Sequence, residues 1–515
     1  MNIWLDTTLL RESDCTADEA SCMRESNPPD CRNENEEVLL SGRIAFRPPG
    51  YLTQEERLAL LARRFVCVHT LYVQAHAHGR WLVCNPTNEG NVAVLDAEAY
   101  DLLTSFHAPR SVFEVIEDLT GEQTASMISL FARLGFLVNP DQPAPSFEQG
   151  ERNHTLSAWI HVTNACNLRC TYCYVDKTTE HMAEDTSKRA VDAIIRSALA
   201  FGYQHISLTY AGGEAMLQFP QVVATHDYAV EQARAHGLRV TGGIISNGSI
   251  LTITMIEQLK RRHLGITISL DGLGEAHDGQ RRFANGQGSF RLVERTISRL
   301  LAQEVVPHIS ITVTQRNLPD LPRLLEFILA RDLPFGLNYY RENDHATNIE
   351  DLQFTAEQMI QGMRAAFAYI EDHLPRRPLL GALLDKASVR SLHQYACGMG
   401  RHYMVVDQRG GIARCQVDLK NTVTTIHAAN PLQAVRGYRQ GVQAVPVDEK
   451  EGCRTCEWRY WCSGGCPMLT YRLTGRSDIK SPNCSIYKAL FPQALRLEAL
   501  RLLKYEQPLA LTRVI

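Results

Sequence analysis

Between residues 41 and 140 three apolar runs, FVCVHTLYVQAH, RWLVCN and NVAVLD, are separated by turn material at His78-Gly79 and from Pro86 to Gly90. That pattern predicts short strands. The stretches AEAYDLLTSF, SVFEVIEDLTG and EQTASMISLFARLGFLV then space apolar side chains such as Ile128, Phe131 and Leu134 for one helical face. Together they predict a compact winged-helix module over 41–140. DQPAPSFEQGERN, residues 141–153, follows neither period and reads as a linker.

From Trp159 onward strands and helices alternate. WIHVTNA, HISLTYAGG, RVTGGIISNG, GITISLDG, HISITVTQR and FGLNYY read as strands, with helical patterns such as SKRAVDAIIRSALAFG and RLVERTISRLLAQ between them. The repetition implies an α/β fold with a parallel sheet. Six strand–helix units fall short of the eight that close a TIM barrel, so an open, partial (β/α)6 barrel is expected over 154–345. A bridging helical segment, 346–395, leads to a cysteine-rich region, 396–490, and a final helix, 491–515.

Composition narrows the classes. Lys and Arg number 53 against 57 Asp and Glu, a formal net charge of −4, which disfavours a purely electrostatic nucleic-acid binder. No apolar run of membrane-spanning length occurs, and the start MNIWLDTTLLRESDC places acids where a signal peptide needs bases. A cytoplasmic protein with no membrane partner is expected. Residues 1–40 hold ten acids and three bases and read as a disordered acidic tail. Of the 15 cysteines, Cys15, Cys22 and Cys31 lie in that tail, Cys67 and Cys84 in strand runs suited to buried thiols, and the rest in two clusters. Without a secretion signal, metal or redox chemistry is a better use for them than disulfides. His76 and His78, beside a turn glycine, read as exposed rather than metal-binding.

CNLRCTYC places Cys166, Cys170 and Cys173 directly after the first barrel strand, at the strand end where barrel chemistry sits. Three thiolates in a tight loop suit three irons of a cubane iron–sulfur cluster and leave the fourth iron open. With Tyr172 before the last cysteine, this C-x3-C-x2-C loop resembles that of the radical S-adenosylmethionine enzymes. The resemblance implies that S-adenosylmethionine chelates the open iron and is reductively cleaved to a 5′-deoxyadenosyl radical that abstracts hydrogen from substrate. It further implies that Gly212, Gly213 and Glu214 at the second strand end receive the cofactor's ammonium. Ser246 and Asn247 at the third strand end, with Ser269 and Asp271 at the fourth, would meet its ribose and carboxylate. The segments HDGQRR and GQGSF are similar to the peptide-modifying branch of that family.

The second cluster reads Cys397, Gly410-x4-Cys415, Cys453-x2-Cys456-x5-Cys462-x3-Cys466 and Cys484. A zinc ribbon is the competing reading, since CxxC pairs are common zinc knuckles; seven cysteines, however, fall one short of two four-cysteine zinc sites. The array resembles the SPASM domain. That resemblance implies two auxiliary 4Fe-4S clusters beside the radical cluster, three in all: Cys397, Cys415 and Cys466 on cluster I, and Cys453, Cys456, Cys462 and Cys484 on cluster II. Cluster I then lacks a fourth cysteine, for which His402, Tyr403, Asp407 or a substrate group are the candidates.

The module 41–140 resembles the leader-binding recognition element of ribosomal peptide maturases, which is similar to the peptide chaperone of pyrroloquinoline quinone biosynthesis. Its strands offer an edge to an extended leader. A DNA-binding winged helix fits less well, because the candidate recognition helix carries one Arg and no Lys. The resemblances imply a radical enzyme that modifies a precursor peptide after leader binding, forming a thioether, carbon–carbon or ether cross-link, with flavodoxin or ferredoxin as electron donor. The alternatives are a protein maturase acting on an enzyme subunit and a non-catalytic iron–sulfur or zinc peptide scaffold. No residue type identifies a catalytic acid or base.

Overall fold

The computed structural model describes residues 1–6, 59–87, 91–118, 122–142, 154–346, 350–387 and 392–509, which fall into two compact units. The first comprises Met1–Ala144 and Ala499–Ile515, the second Pro145–Glu498.

In the first unit, β1 (Ile3–Leu5) is followed by β2 (Arg64–Cys67), β3 (Tyr72–His76), β4 (Arg80–Cys84) and β5 (Val92–Leu95). An antiparallel sheet runs in the order β1-β5-β4-β3. The helix Ala97–Thr104 starts where the Asp96 carboxylate accepts from the Ala99 amide at 2.9 Å, satisfying one orphan N–H of its first turn. β6 (Arg110–Ser111) and β7 (Leu137–Val138) flank β2 in a second small sheet, and the helices Val112–Asp118 and Glu122–Arg133 stand between them in the chain. Ile3, Val83, Leu95, Leu103, Phe106, Ile128 and Phe131 share one core. The expected runs RWLVCN and NVAVLD are single strands, but FVCVHTLYVQAH splits into β2 and β3 in different sheets, and the third expected helix ends at Arg133 with its last residues in β7. Cys84 is fully buried, and the Cys67 thiol donates to the Leu103 carbonyl at 2.9 Å.

The start of the chain departs from the disordered acidic tail expected over 1–40. Ile3, Trp4 and Leu5 are buried and pair with Leu95, Val94 and Ala93, because an apolar triplet gains more by completing a sheet edge than by remaining in water. The rest of the tail, with Cys15, Cys22 and Cys31, and most of the linker lie outside the described residues.

In the second unit β8 (Thr155–Thr163), β9 (Leu168–Cys170), β10 (His205–Gly212), β11 (Arg239–Ser246), β12 (Gly265–Ser269), β13 (Arg281–Phe283), β14 (His308–Val313) and β15 (Phe335–Tyr339) follow in sequence. Six of them form a parallel sheet in the order β15-β14-β12-β11-β10-β8. These are the six strands expected of the partial barrel. On β8, Leu156, Ala158, Ile160 and Val162 are buried while the alternate positions Thr155, Ser157 and Trp159 are less so, the two-residue period of a strand with distinct faces. The helices between strands bury one stripe each, as Val293, Ile297 and Leu300 do on Phe290–Ala302.

The cysteine-rich segment does not stand apart from this sheet. β16 (Tyr403–Val406) pairs in parallel with Ser157–Ile160 of β8, and β17 (Gly411–Ala413) and β18 (Thr422–Thr425) continue the sheet as an antiparallel extension. The alternation of Met404 and Val405 against β8 makes this possible, and both are fully buried. The last helix begins at Cys484 rather than in the 490s, because the Ser481 carbonyl and hydroxyl accept from the Cys484 and Asn483 amides at its start.

Replacing Met404 by Ala removes buried contacts where β16 joins β8 and is expected to cost about 2–5 kcal/mol. Urea unfolding should show the barrel and cysteine-rich signals shifting together to lower midpoint. An unshifted barrel transition would contradict the shared sheet.

Candidate functional site

The C-terminal ends of β8, β10, β11, β12 and β14 meet the loop that follows β8. In that loop the Thr163 hydroxyl accepts from the Ala165 amide at 3.0 Å and donates to the Glu180 carbonyl at 3.0 Å, closing the loop's two stems. β9, which carries Cys170, pairs antiparallel with β13, and the Cys173 amide donates to the Cys170 carbonyl at 3.2 Å. Cys166, Cys170 and Cys173 thus converge, and each influences the ionisation of another. Burial pushes the Cys170 thiol up to about 12, opposed by the Arg281 charge, and raises Cys166, opposed by Lys177. The Lys177 ammonium donates to the Cys173 sulfur at 2.9 Å.

Gly212 and Gly213 bring β10 against this loop. A Cβ on Gly212 would lie 2.4 Å from the Thr163 carbonyl oxygen, and one on Gly213 would lie 2.3 Å from that of Ala165. Without side chains the backbones instead bond, Gly213 N–H to Thr163 at 2.7 Å and Glu214 N–H to Ala165 at 2.9 Å. The buried Glu214 carboxylate accepts from the Met216 amide at 3.0 Å, the Ser246 hydroxyl at 2.9 Å and the Asn247 amide at 2.6 Å. It therefore ties the second strand end to the third. Asn247 in turn donates from its side chain to Asn167 at 2.8 Å inside the cysteine loop.

Asp271 departs from the ribose-facing role expected of it. Its buried carboxylate accepts from the Tyr172 hydroxyl and from the Thr312 amide at 2.8 Å, and it pairs with Arg281 at 3.5 Å. A buried carboxylate needs such partners, and they turn it toward Tyr172 and Arg281 rather than toward open space. Arg281, which also donates to the Tyr172 hydroxyl, lines the cavity and keeps a buried Nε with no partner among the described residues. Its charge stands at the cavity beside the Asp271–Tyr172 pair. Sequence reading did not single it out, since Arg281 and Arg282 are adjacent and only strand alternation buries the first.

These strand ends enclose a cavity of about 300 Å³. Tyr172, Gly212, Gly213, Glu214, Ser246, Asn247 and Ser269 line it together with the three loop cysteines. Its other wall comes from the sixth strand end and the cysteine-rich segment, through Arg341, Glu342, Gln416, Leu469 and Arg472. Sequence reading missed all five, because nothing local signals that such distant segments meet.

Beyond that wall the seven remaining cysteines form two groups. Cys397, Cys415 and Cys466 affect one another and pack together. Cys453, Cys456, Cys462 and Cys484 line a common gap. Burial raises Cys462 and Cys415 to about 12 and Cys453 to about 11. Burial also raises Cys466, but the Arg341 guanidinium and Lys386 ammonium outweigh it and leave that thiol below its ordinary value. Among the described residues no three His, Cys, Asp or Glu side chains converge on a single-ion position. All-thiolate donor sets around a gap suit iron–sulfur clusters. Of the candidates for a fourth ligand on the first group, Asp407 is committed to the turn between β16 and β17, accepting from Arg409 at 2.8 Å and Gly411 at 2.7 Å. Tyr403 is half-buried next to Cys415 and Cys397, and its hydroxyl donates to Gln416 at 3.0 Å. The His402 ring lies against Gly398.

Two buried histidines brace the site. His161 meets the Asn164 side chain at 2.8 Å, and His277 meets the Ser289 hydroxyl at 3.0 Å beneath Asp271. Burial lowers His161 from 6.5 to about 4 and His277 to about 3. With depressed folded values, the unfolded chain takes up protons first as the pH falls. Their contribution is full above 6.5 and is lost progressively toward 4 and 3. Thermal midpoints should fall on acidification below 6.5, and His161→Gln should flatten that slope; an unchanged slope would contradict it.

Residues 160–328 match the model of the Radical SAM superfamily. The cysteine-type anaerobic sulfatase-maturating enzyme of Clostridium perfringens is 20% identical over 364 residues, covering 64% of this chain and 94% of that protein. The sporulation killing factor maturation protein SkfB of Bacillus subtilis is 28% identical over 176 residues, covering 33% of this chain and 39% of that protein. The solved structure of native anSMEcpe with bound AdoMet and Cp18Cys peptide superposes with a TM-score of 0.54 at 19% identity, covering 67% of this chain and 99% of that one. At that identity the likeness establishes the fold. The segment that carries Cys166, Cys170 and Cys173 and most of the parallel sheet is thus similar to the Radical SAM superfamily.

Proposed function

We propose that the protein modifies a ribosomally made precursor peptide by radical chemistry, forming an intramolecular cross-link of the thioether, carbon–carbon or ether type. The observation that carries this reading is the shared cavity. One wall is the three-cysteine loop and its strand ends; the other is the cysteine-rich segment. A substrate residue in it would touch both. The relatives named for the maturation of sulfatases and of a sporulation killing factor, and the solved structure with a bound peptide, favour a polypeptide substrate.

Cys166, Cys170 and Cys173 would hold the cluster that binds S-adenosylmethionine, and that pair supplies a hydrogen-abstracting radical when bound. The chain's own residues orient the reactants. The Gly212-Gly213 backbone packs against the cysteine loop and fixes the cavity wall, Ser246, Asn247 and Ser269 offer polar contacts, and Arg281 would meet a carboxylate. Cys397, Cys415 and Cys466, and separately Cys453, Cys456, Cys462 and Cys484, would hold two auxiliary clusters that accept the electron left after bond formation. Three cysteines on the first of these leave one iron to Tyr403, His402 or a substrate thiolate. The first unit would recognise the leader along β3, which ends its sheet and exposes Val73. A flavodoxin or ferredoxin would donate electrons in the cytoplasm.

A second reading, oxidation of a single side chain in a protein substrate, is favoured by coverage of nearly all of the sulfatase-maturating relative. Mass spectrometry separates the two. The full chain, reconstituted anaerobically with iron and sulfide, is incubated with S-adenosylmethionine, reductant and a short peptide encoded beside it. The expected result is 5′-deoxyadenosine together with loss of two hydrogens per bond. Fragmentation should halt between the joined residues, and a leaderless peptide should react at least tenfold more slowly. Loss of two hydrogens from one residue with normal fragmentation would favour the second reading. No product and no 5′-deoxyadenosine would overturn both.

A further inference from the structure

Among the described residues, Lys177, Arg281, Arg341 and Arg472 are the Lys and Arg side chains that line the cavity. Three of them have partners that hold their charge. Lys177 donates to the Cys173 sulfur at 2.9 Å, Arg281 pairs with Asp271 at 3.5 Å, and Arg341 pairs with Asp385 at 2.5 Å. Arg472 is held differently. Its guanidinium donates to two backbone carbonyls, those of Glu342 at 2.8 Å and Val417 at 3.2 Å, and among the described residues no carboxylate pairs with it. Glu342 contributes its carbonyl to that bond rather than its side chain. The Asp418 carboxylate, close enough to feel the Arg472 charge, accepts from Asn421 at 2.8 Å instead.

The sequence delivers this cation by helical spacing. The helix Pro467–Thr474 starts directly after Cys466, with proline in its first turn. Met468 and Leu469 precede Arg472 by four and three residues, so the three share one helical face, and all three line the cavity together with Val417. The wall is therefore apolar around one fixed guanidinium. Two carbonyls hold that group in place but leave N–H donors over and its charge without a counter-ion. A planar fork fixed in this way matches a carboxylate. We propose that Arg472 selects the substrate by receiving a carboxylate of the precursor peptide, carried by an Asp or Glu side chain or by the peptide's own C-terminus. The inference deepens the reading that a peptide enters this cavity and rests on it.

The other cations do not compete for this role. Arg341 is taken by the buried Asp385. Lys177 and Arg281 belong to the three-cysteine side, so a carboxylate on Arg472 would lie across the cavity from the groups expected to hold S-adenosylmethionine. Selection would work by exclusion as well as by attraction. A neutral or basic side chain in the same place would desolvate the guanidinium against Val417, Met468 and Leu469 without compensating it, and specificity arises as much from that cost as from the pair itself.

The test reads binding by the full chain, reconstituted anaerobically and kept free of S-adenosylmethionine and reductant so that no turnover enters. The probe is the short peptide encoded beside the protein, labelled with a fluorophore at its leader end. Further versions exchange each Asp and Glu of its core in turn for Asn or Gln, and one carries an amidated C-terminus. Dissociation constants come from fluorescence anisotropy for the parent and for Arg472→Gln. One of these changes should weaken binding to the parent by at least about fivefold and binding to Arg472→Gln by less than about twofold, the mark of a direct pair. Which change does so tells a side chain from the C-terminus. A leader-only peptide should bind both proteins alike. If no change loses its effect in Arg472→Gln, or if the variant weakens every version and the leader alone by one common factor, the proposal is overturned. Equilibrium dialysis should show equal S-adenosylmethionine uptake by parent and variant, and a variant that loses the cofactor would assign Arg472 to it and overturn the proposal as well. Should Arg472→Gln fail to fold, Arg472→Met is measured instead, and failure of both makes the residue structural and ends the proposal. A parent that binds no version of the peptide would instead overturn the peptide reading on which this rests.

Discussion

Close backbone approach at Gly212 and Gly213 is the constraint on which the rest of the site depends. With a Cβ there excluded by carbonyls 2.3 to 2.4 Å away, β10 can donate amides directly into the segment leading to Cys166. That contact fixes the loop's entry, and Glu214, next in sequence, fixes its neighbours by gathering Ser246 and Asn247. The three cysteines inherit their position from these few bonds rather than from any interaction of their own. Buried thiolates need cations or a metal cluster, and Lys177, Arg281 and Arg341 stand among the clustered cysteines.

The same logic explains why two distant stretches of sequence act on one cavity. β16 pairs with β8, the strand that delivers the three-cysteine loop. The cysteine-rich segment is therefore carried to the barrel mouth by sheet hydrogen bonds, and Gln416, Leu469 and Arg472 face the strand ends across about 300 Å³. Under the proposed function, a substrate held there would lie between the three-cysteine loop on one side and the cysteine-rich segment on the other.

Much of this was legible in the chain. The six barrel strands announce themselves through short apolar runs, three of which end in Ala-Gly-Gly-Glu, Ser-Asn-Gly and Leu-Asp-Gly, and the division of the seven later cysteines into two groups came from the SPASM resemblance. What escaped sequence reading was non-local. Ile3-Trp4-Leu5 sits in an acidic stretch, and only its distant partner β5 makes it a strand. Asp271 reads as a strand-end carboxylate free to bind ligand, yet Tyr172 and Arg281, each far away in sequence, claim it. Arg281 and Arg282 are chemically identical in the sequence, and pairing of β13 with β9 decides which one is buried. Arg472 reads as one charge in a short helix, and the carbonyls of Glu342 and Val417, both distant in sequence, fix it at the cavity wall.

The central claim is that the ten clustered cysteines form three separate iron–sulfur sites, one at the strand ends and two beyond the cavity wall. Mössbauer spectroscopy with iron quantitation on the anaerobically reconstituted chain tests it most directly. Three cubane clusters predict about twelve irons per chain, falling to about eight when Cys166, Cys170 and Cys173 are all replaced by Ala. Zinc in place of iron in the seven-cysteine region, or about four irons that vanish entirely in the triple variant, would contradict the account.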